Sequence, residues 1–148
     1  MSLNQVEIVR LEEKKVTGIP VTCSFQFHDP AAIEEAKQLF LSRRHEIKQV
    51  INPHQYVCPH YSSEVSFTYF YCYEVSELAE IPAGMIGFTI PPHTYGTTRS
   101  DSDPYEVIHT YLANNGMKNN SKALAMEIYQ IEDPQWPSKV DVFVPVME

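Results

Sequence analysis

Two helix starts in this chain look alike, and about half the chain separates them. Asp29-Pro30 precedes Ala31-Ala32-Ile33-Glu34-Glu35, and Asp103-Pro104 precedes Tyr105-Glu106-Val107-Ile108. Asp caps helix N-termini well, and Pro fits the first helical position. Glu106 adds an acidic analogue of the capping box. Ile33, Ala36, Phe40 and Ile47 keep helical spacing after the first start. Val107, Ile108, Tyr111 and Leu112 keep it after the second, and Asn115-Gly116 is a natural stop. The flanks match as well. Each helix follows an extended segment, 16–27 and 85–98, and each precedes two strands: 55–58 and 67–75 in the first half, 123–131 and 140–146 in the second. Gly18 before Ile19-Pro20 suggests a break or bulge in the first strand. Pro82-Ala83-Gly84 marks a turn between the halves. The pattern is β-α-β-β twice, which predicts an α+β fold: one domain over 1–148, with pseudo-repeats at about 1–78 and 84–148.

Such a fold implies a curved antiparallel sheet with two helices on one face and an open trough on the other. The run 123–131 supplies a carboxylate for that trough. Strand alternation puts Leu124, Met126 and Ile128 on one face, and Ala125, Glu127 and Tyr129 on the other. If the first set faces the helices, Glu127 points into the trough. The run 67–75 is unusually aromatic, with Phe67, Tyr69, Tyr71 and Tyr73 on one face by the same alternation. Rings beside a carboxylate are how proteins hold organic cations, by Coulomb attraction and cation–π contact.

Charge and composition exclude several classes. A net charge of −8 repels phosphate backbones and argues against direct nucleic-acid binding. The cluster of Arg43, Arg44 and Lys48 covers one short helix face and reads as solvated. No stretch approaches the roughly 20 apolar residues of a membrane span. The Met-Ser-Leu-Asn-Gln-Val-Glu start has no signal-peptide pattern, so a cytoplasmic location is expected. Cys23, Cys58 and Cys72 lack metal-like spacing and read as buried thiols. Cys58-Pro59-His60 near Cys72 does not have the paired spacing of a zinc site. No metal and no cofactor is expected.

Several short motifs then occur in order: Tyr69-Phe70-Tyr71-Cys72-Tyr73-Glu74-Val75, Ile81-Pro82-Ala83-Gly84-Met85, Ile90-Pro91-Pro92-His93-Thr94-Tyr95, Glu127-Ile128-Tyr129 and Val144-Pro145-Val146. With the early Val16-Thr17-Gly18-Ile19, they make the chain resemble the GyrI-like (gyrase-inhibitor-like) family over essentially its whole length. That family is also described as the effector-binding domain of AraC-type and MerR-type transcription regulators. The resemblance implies a tandem β-α-β-β duplication and a small-molecule pocket between the halves. It implies that Glu127 is the pocket's central acid and that the aromatic strand supplies Tyr71 or Tyr73. Members often carry a Trp in the first helix, where this chain has Gln38-Leu39-Phe40. The single Trp136 reads as packing beneath a late loop.

The expected function is a stand-alone binding protein for a small, drug-like effector that is cationic or aromatic, in transcriptional regulation or toxin resistance. Glu127 is its charge partner, with Tyr69, Tyr71, Tyr73, Tyr129 and Ala125 lining the pocket. The alternative is a hydrolase of strained electrophilic rings, with Glu127 activating water and Tyr71 or Tyr73 donating a proton. The residues hold no Gly-x-Ser-x-Gly element and no metal motif. A protein partner is not indicated: the acidic residues are spread along the chain rather than gathered into a patch.

Overall fold

A computed structural model describes residues 3–27 and 29–148. One eight-stranded antiparallel sheet runs through the molecule. Its strands are β1 (Glu7–Leu11), β2 (Lys14–Ser24), β3 (Gln55–Ser62), β4 (Ser66–Val75), β5 (Ile86–Ile90), β6 (His93–Thr98), β7 (Ala125–Gln130) and β8 (Val140–Pro145). Their spatial order is β1-β6-β8-β7-β3-β4-β2-β5. Helix α1 (Pro30–Arg43) and helix α2 (Pro104–Asn114) begin where the Asp-Pro pairs predict. Asp29 accepts from the Ala31 amide and Asp103 from the Tyr105 amide, each at 3.0 Å. Gly116 follows α2 at φ +66°, the left-handed conformation that stops a helix. Ile47 lies beyond α1, after a short 3-10 turn at Arg44–Glu46.

Each half carries one strand more than the sequence pattern predicts, β-β-α-β-β, and the two halves exchange strands. β1 leads into β2 but pairs with β6 of the other half; β5 leads into β6 but pairs with β2. The sequence pattern predicts one extended segment over 85–98 and gives no sign of β1. Pro91-Pro92 splits that segment, because two successive residues without amide hydrogens cannot continue a ladder. The pattern also ends the third strand at Cys58, before Pro59. The strand in fact continues to Ser62. Pro59 pairs with Met126 on β7, while the β4 ladder resumes at His60–Tyr69.

The short links fix the curvature. Only Glu12 and Glu13 join β1 to β2, and only Pro91 and Pro92 join β5 to β6. Three residue steps reach about 11 Å. In a flat sheet each pair would lie six strand spacings apart, about 29 Å. The sheet therefore curls until its two edges approach. Apolar side chains from both edges meet on the inner face: Val9 and Leu11 of β1, Phe88 and Ile90 of β5, with Val16, Phe70, Tyr95 and Met126 between them. Both helices pack on the outer face. α1 places Ala36 and Phe40 against Ile19, Tyr56 and Tyr73. α2 places Ile108 and Leu112 against Val140, Val142 and Val144.

One expectation is reversed here. The sequence places Leu124, Met126 and Ile128 beneath the helices and Glu127 on the opposite face. These three residues instead join the inner cluster, and Glu127 lies on the helix side. Both faces of β7 are substantially apolar, so alternation defines the two faces without saying which one the helices cover. Gly18 also differs from its expected role. β2 is unbroken there, paired to Cys72 on one side and Ile86 on the other. A Cβ on Gly18 would collide with the Tyr71 carbonyl oxygen, so the glycine serves close backbone approach. Gly18→Ala is expected to cost about 3 kcal/mol in urea denaturation. Gly116→Ala meets no neighbour within 4 Å and carries only the left-handed backbone penalty, so it is expected to cost about 1 kcal/mol. Equal losses would refute the close-approach role.

Candidate functional site

The central strands β3 and β7 meet between the helices, and there Cys58 lies opposite Glu127. Glu127 is 7% exposed. Three hydroxyls converge on its carboxylate. Tyr69 of β4 and Tyr129 of β7 donate to Oε1, the latter at 2.9 Å, and Tyr105 of α2 donates to Oε2. A buried carboxylate without such donors is costly, and three O–H groups offset much of its lost hydration. Burial pushes all three phenols well above their usual range, and the Glu127 charge pushes them the same way. They remain donors at neutral pH.

His60 of β3 completes the cluster. Its Nε2 lies 2.8 Å from the Tyr105 hydroxyl oxygen and 3.8 Å from Glu127 Oε2. Tyr105 gives its one proton to Glu127, so Nε2 carries the hydrogen and donates to Tyr105. Burial lowers the His60 pKa from 6.5, while attraction to Glu127 opposes that shift. Rings surround the acid. Tyr56 stacks on Tyr129 at 5.1 Å, His60 stacks on Tyr69 at 5.4 Å, and Tyr105 lies 6.2 Å from Trp136. A cleft of about 240 Å³ adjoins the cluster, with His60, Tyr105, His109 and Ala125 in its wall.

Of the residues singled out from sequence, Glu127, Tyr69 and Tyr129 come together, and Ala125 borders the cleft. Tyr71 is one ring removed, packed against Tyr69 at 5.1 Å and Tyr56 at 6.3 Å. Tyr73 does not reach the acid. Its hydroxyl donates to the Pro53 carbonyl at 2.9 Å and accepts from Arg44 at 2.8 Å, while its ring packs on Phe40. Sharing a face with Tyr69 is not enough, because Tyr73 lies four residues further along the strand, about 13 Å. Trp136 is not beneath a loop. It is 48% exposed and stands beside Tyr105.

Sequence reasoning missed Tyr105 and His60. The signal for His60 is present, since alternation through Cys58-Pro59-His60 puts it on the Cys58 face. Tyr105 carries only a helix-start signal, and its reach to Glu127 depends on where α2 docks. All three cysteines are buried free thiols, as their spacing suggests. Burial, then the Glu127 charge, drives the Cys58 thiol far above its usual range, so it is no nucleophile at neutral pH.

The His60 shift predicts a pH effect. A histidine whose folded pKa is depressed supports the fold above its unfolded value, near 6.5, and loses that support as pH falls through the folded value. Wild type is expected to lose melting temperature between about pH 7 and pH 5 more steeply than His60→Gln, which keeps a donor toward Tyr105. Parallel slopes in a melting series would remove His60 from this role.

Residues 7–146 match the sequence profile of the Cass2 family, described as integron-associated effector binding protein. This agrees with the GyrI-like resemblance. No curated protein matches in sequence. The fold recurs in solved structures. The EcmrR C-terminal domain superimposes with a TM-score of 0.71 at 15% identity, over 97% of this chain and 98% of that one. The integron cassette protein VCH_CASS2 of Vibrio cholerae gives 0.65 at 14%, over 96% and 95%. SAV2435, solved with tetraphenylphosphonium bound, gives 0.62 at 15%, over 97% and 94%. Identities this low establish a common fold alone. Among the described residues, no helix is long and apolar enough to cross a membrane.

Proposed function

Because this chain belongs to the Cass2 family of integron-associated effector-binding proteins, we propose that it binds a lipophilic organic cation against Glu127. The observation that carries this reading is the buried carboxylate at the centre of a ring-lined site, with no Lys or Arg among the described residues paired to it. A carboxylate supplies the charge, and Tyr69, Tyr105 and Tyr129 supply ring faces for cation–π contact. The tetraphenylphosphonium held by SAV2435 is a ligand of this chemical class.

The adjoining cleft is smaller than the roughly 300–1,000 Å³ of common ligand pockets. A bulky cation therefore enters by displacing a ring. Tyr105 is the ring to move. It comes from the first turn of α2, it borders the cleft, and the half-exposed Trp136 stands on one side of its ring while only the edge of the α2 cluster supports the other. Its departure frees Glu127 Oε2 for the ligand.

Hydrolysis of an electrophilic ring is the second reading, and the hydrogen-bonded series His60, Tyr105 and Glu127 is the feature that suits it. Against it, the three hydroxyls already occupy both oxygens of Glu127, so a water for activation has to replace one of them. Binding without turnover fits this arrangement better. The acid's partners in this reading are Tyr69, Tyr105 and Tyr129 rather than Tyr71 and Tyr73.

Calorimetric titration checks the binding role. Glu127→Gln is expected to weaken tetraphenylphosphonium by about thirtyfold, the low end for losing one partner of a buried charge pair. A neutral triaryl compound such as triphenylphosphine oxide is expected to change by about threefold or less. Equal losses for both would sink the electrostatic role. Mass spectrometry after incubation with a strained electrophilic probe, an aryl epoxide, is expected to show no ring-opened diol beyond that formed in buffer alone, and diol formation above that level would favour the enzyme.

A further inference from the structure

The inner face of the sheet holds a second cavity that the Glu127 site does not use. It consists of two adjoining hollows that share Lys122, Ala123 and Leu124. The larger, about 580 Å³, is walled by Phe70, Phe88, Ile86 and Leu124, with Tyr61 at its end. Phe70 and Phe88 form a tilted ring pair at 4.9 Å. The smaller, about 300 Å³, lies between Ile90, His93, Tyr95 and Leu124. β5 and β7 are four strands apart in the sheet order, so only the curl brings Phe88 and Leu124 to one hollow. The sheet itself separates this space from Glu127, because Leu124 and Met126 point inward where Glu127 points outward. The two sides approach only at the sheet's end, where Tyr61, Ser121 and Ala123 border both.

Two polar groups give this apolar space a sign. Lys122 is exposed, borders both hollows and forms no ion pair among the described residues. Among the described residues lining the cavity, its ammonium is the one permanent charge. His93 Nε2 is fully buried without a hydrogen-bond partner among the described residues, and its ring lines the smaller hollow. Buried polar atoms in native proteins are rarely left unpaired. The Nδ1 edge of the ring is directed elsewhere, 3.9 Å from Glu148. With the ring proton on Nε2, His93 donates into the smaller hollow, and that donor beside the Lys122 ammonium complements an oxyanion.

We propose that the inner cavity binds an amphipathic organic anion, an apolar body of medium length bearing one carboxylate. The carboxylate lies in the smaller hollow between Lys122 and His93 Nε2. The apolar body lies along Phe70, Phe88, Ile86 and Leu124. The protein then carries two sites of opposite charge preference on opposite faces of one sheet, and this one stands independently of the role of Glu127.

Decanoate below its micelle concentration is the probe, and decanol is its neutral counterpart. Calorimetric titration of the full chain is expected to show saturable binding of one decanoate. Lys122→Glu, a change at an exposed side chain, is expected to weaken decanoate by about tenfold or more and decanol by much less. Glu127→Gln is expected to leave decanoate affinity within about twofold, and tetraphenylphosphonium is not expected to displace it. Amide shifts on binding are expected at Phe88 and Leu124. Absence of saturable binding overturns the proposal, as does equal loss of decanoate and decanol in Lys122→Glu. Loss of decanoate in Glu127→Gln assigns the ligand to the outer site and overturns it too. A self-associated protein that excludes decanoate means that a second copy covers this face, and it likewise overturns the proposal.

Discussion

Two links of two residues each hold the architecture. Glu12-Glu13 and Pro91-Pro92 join strands that the sheet order places six spacings apart, and chain connectivity allows no flat solution. Curling the sheet decides which face is inside. The inner face closes on side chains from both edges and has no room for a helix. The helices must therefore dock outside, one on each half. The strip of β3 and β7 between them stays without a helix above it. Glu127, Cys58 and His60 all lie on that strip, so the site's position follows from the links.

The strip would be a poor place for a carboxylate without the tyrosines. Glu127 is almost fully removed from water, and desolvating an ion costs several kcal/mol in real proteins. Tyr69, Tyr105 and Tyr129 come from β4, α2 and β7, so donors from three separate elements offset that cost. Their own burial and the Glu127 charge keep the phenols protonated, which makes the arrangement self-consistent. His60 donates to Tyr105 from the fourth side and fixes that hydroxyl's direction.

Much of this is legible from residues alone. The Asp-Pro pairs locate both helix starts to the residue, because cap chemistry is local. Alternation along 123–131 puts Glu127, Ala125 and Tyr129 on one face correctly, because the strand period is fixed at two. What fails depends on distance or on docking. Tyr73 shares the Tyr69 face but lies too far along the strand to meet Glu127. β1 escapes notice because a five-residue strand of mixed character shows itself only by pairing with β6. The side taken by the helices follows from the strand exchange, which no local pattern encodes. Tyr105 needs the docking angle of α2, so its place in the site becomes visible only with the fold.

The satisfied state of Glu127 also bears on selectivity in the proposed role. An arriving cation does not meet a bare charge. It replaces a hydroxyl hydrogen bond, so its affinity is a difference between two occupied states. A neutral hydrogen-bond donor gains little by that exchange, since it substitutes one O–H or N–H for another. A permanent cation gains the Coulomb term in a water-poor site, together with contact to the ring faces. It needs no donor of its own, because Tyr69 and Tyr129 still hold Oε1 after Tyr105 leaves. The tyrosine shell therefore keeps the empty protein stable and filters ligands by charge, two consequences of the same three hydrogen bonds.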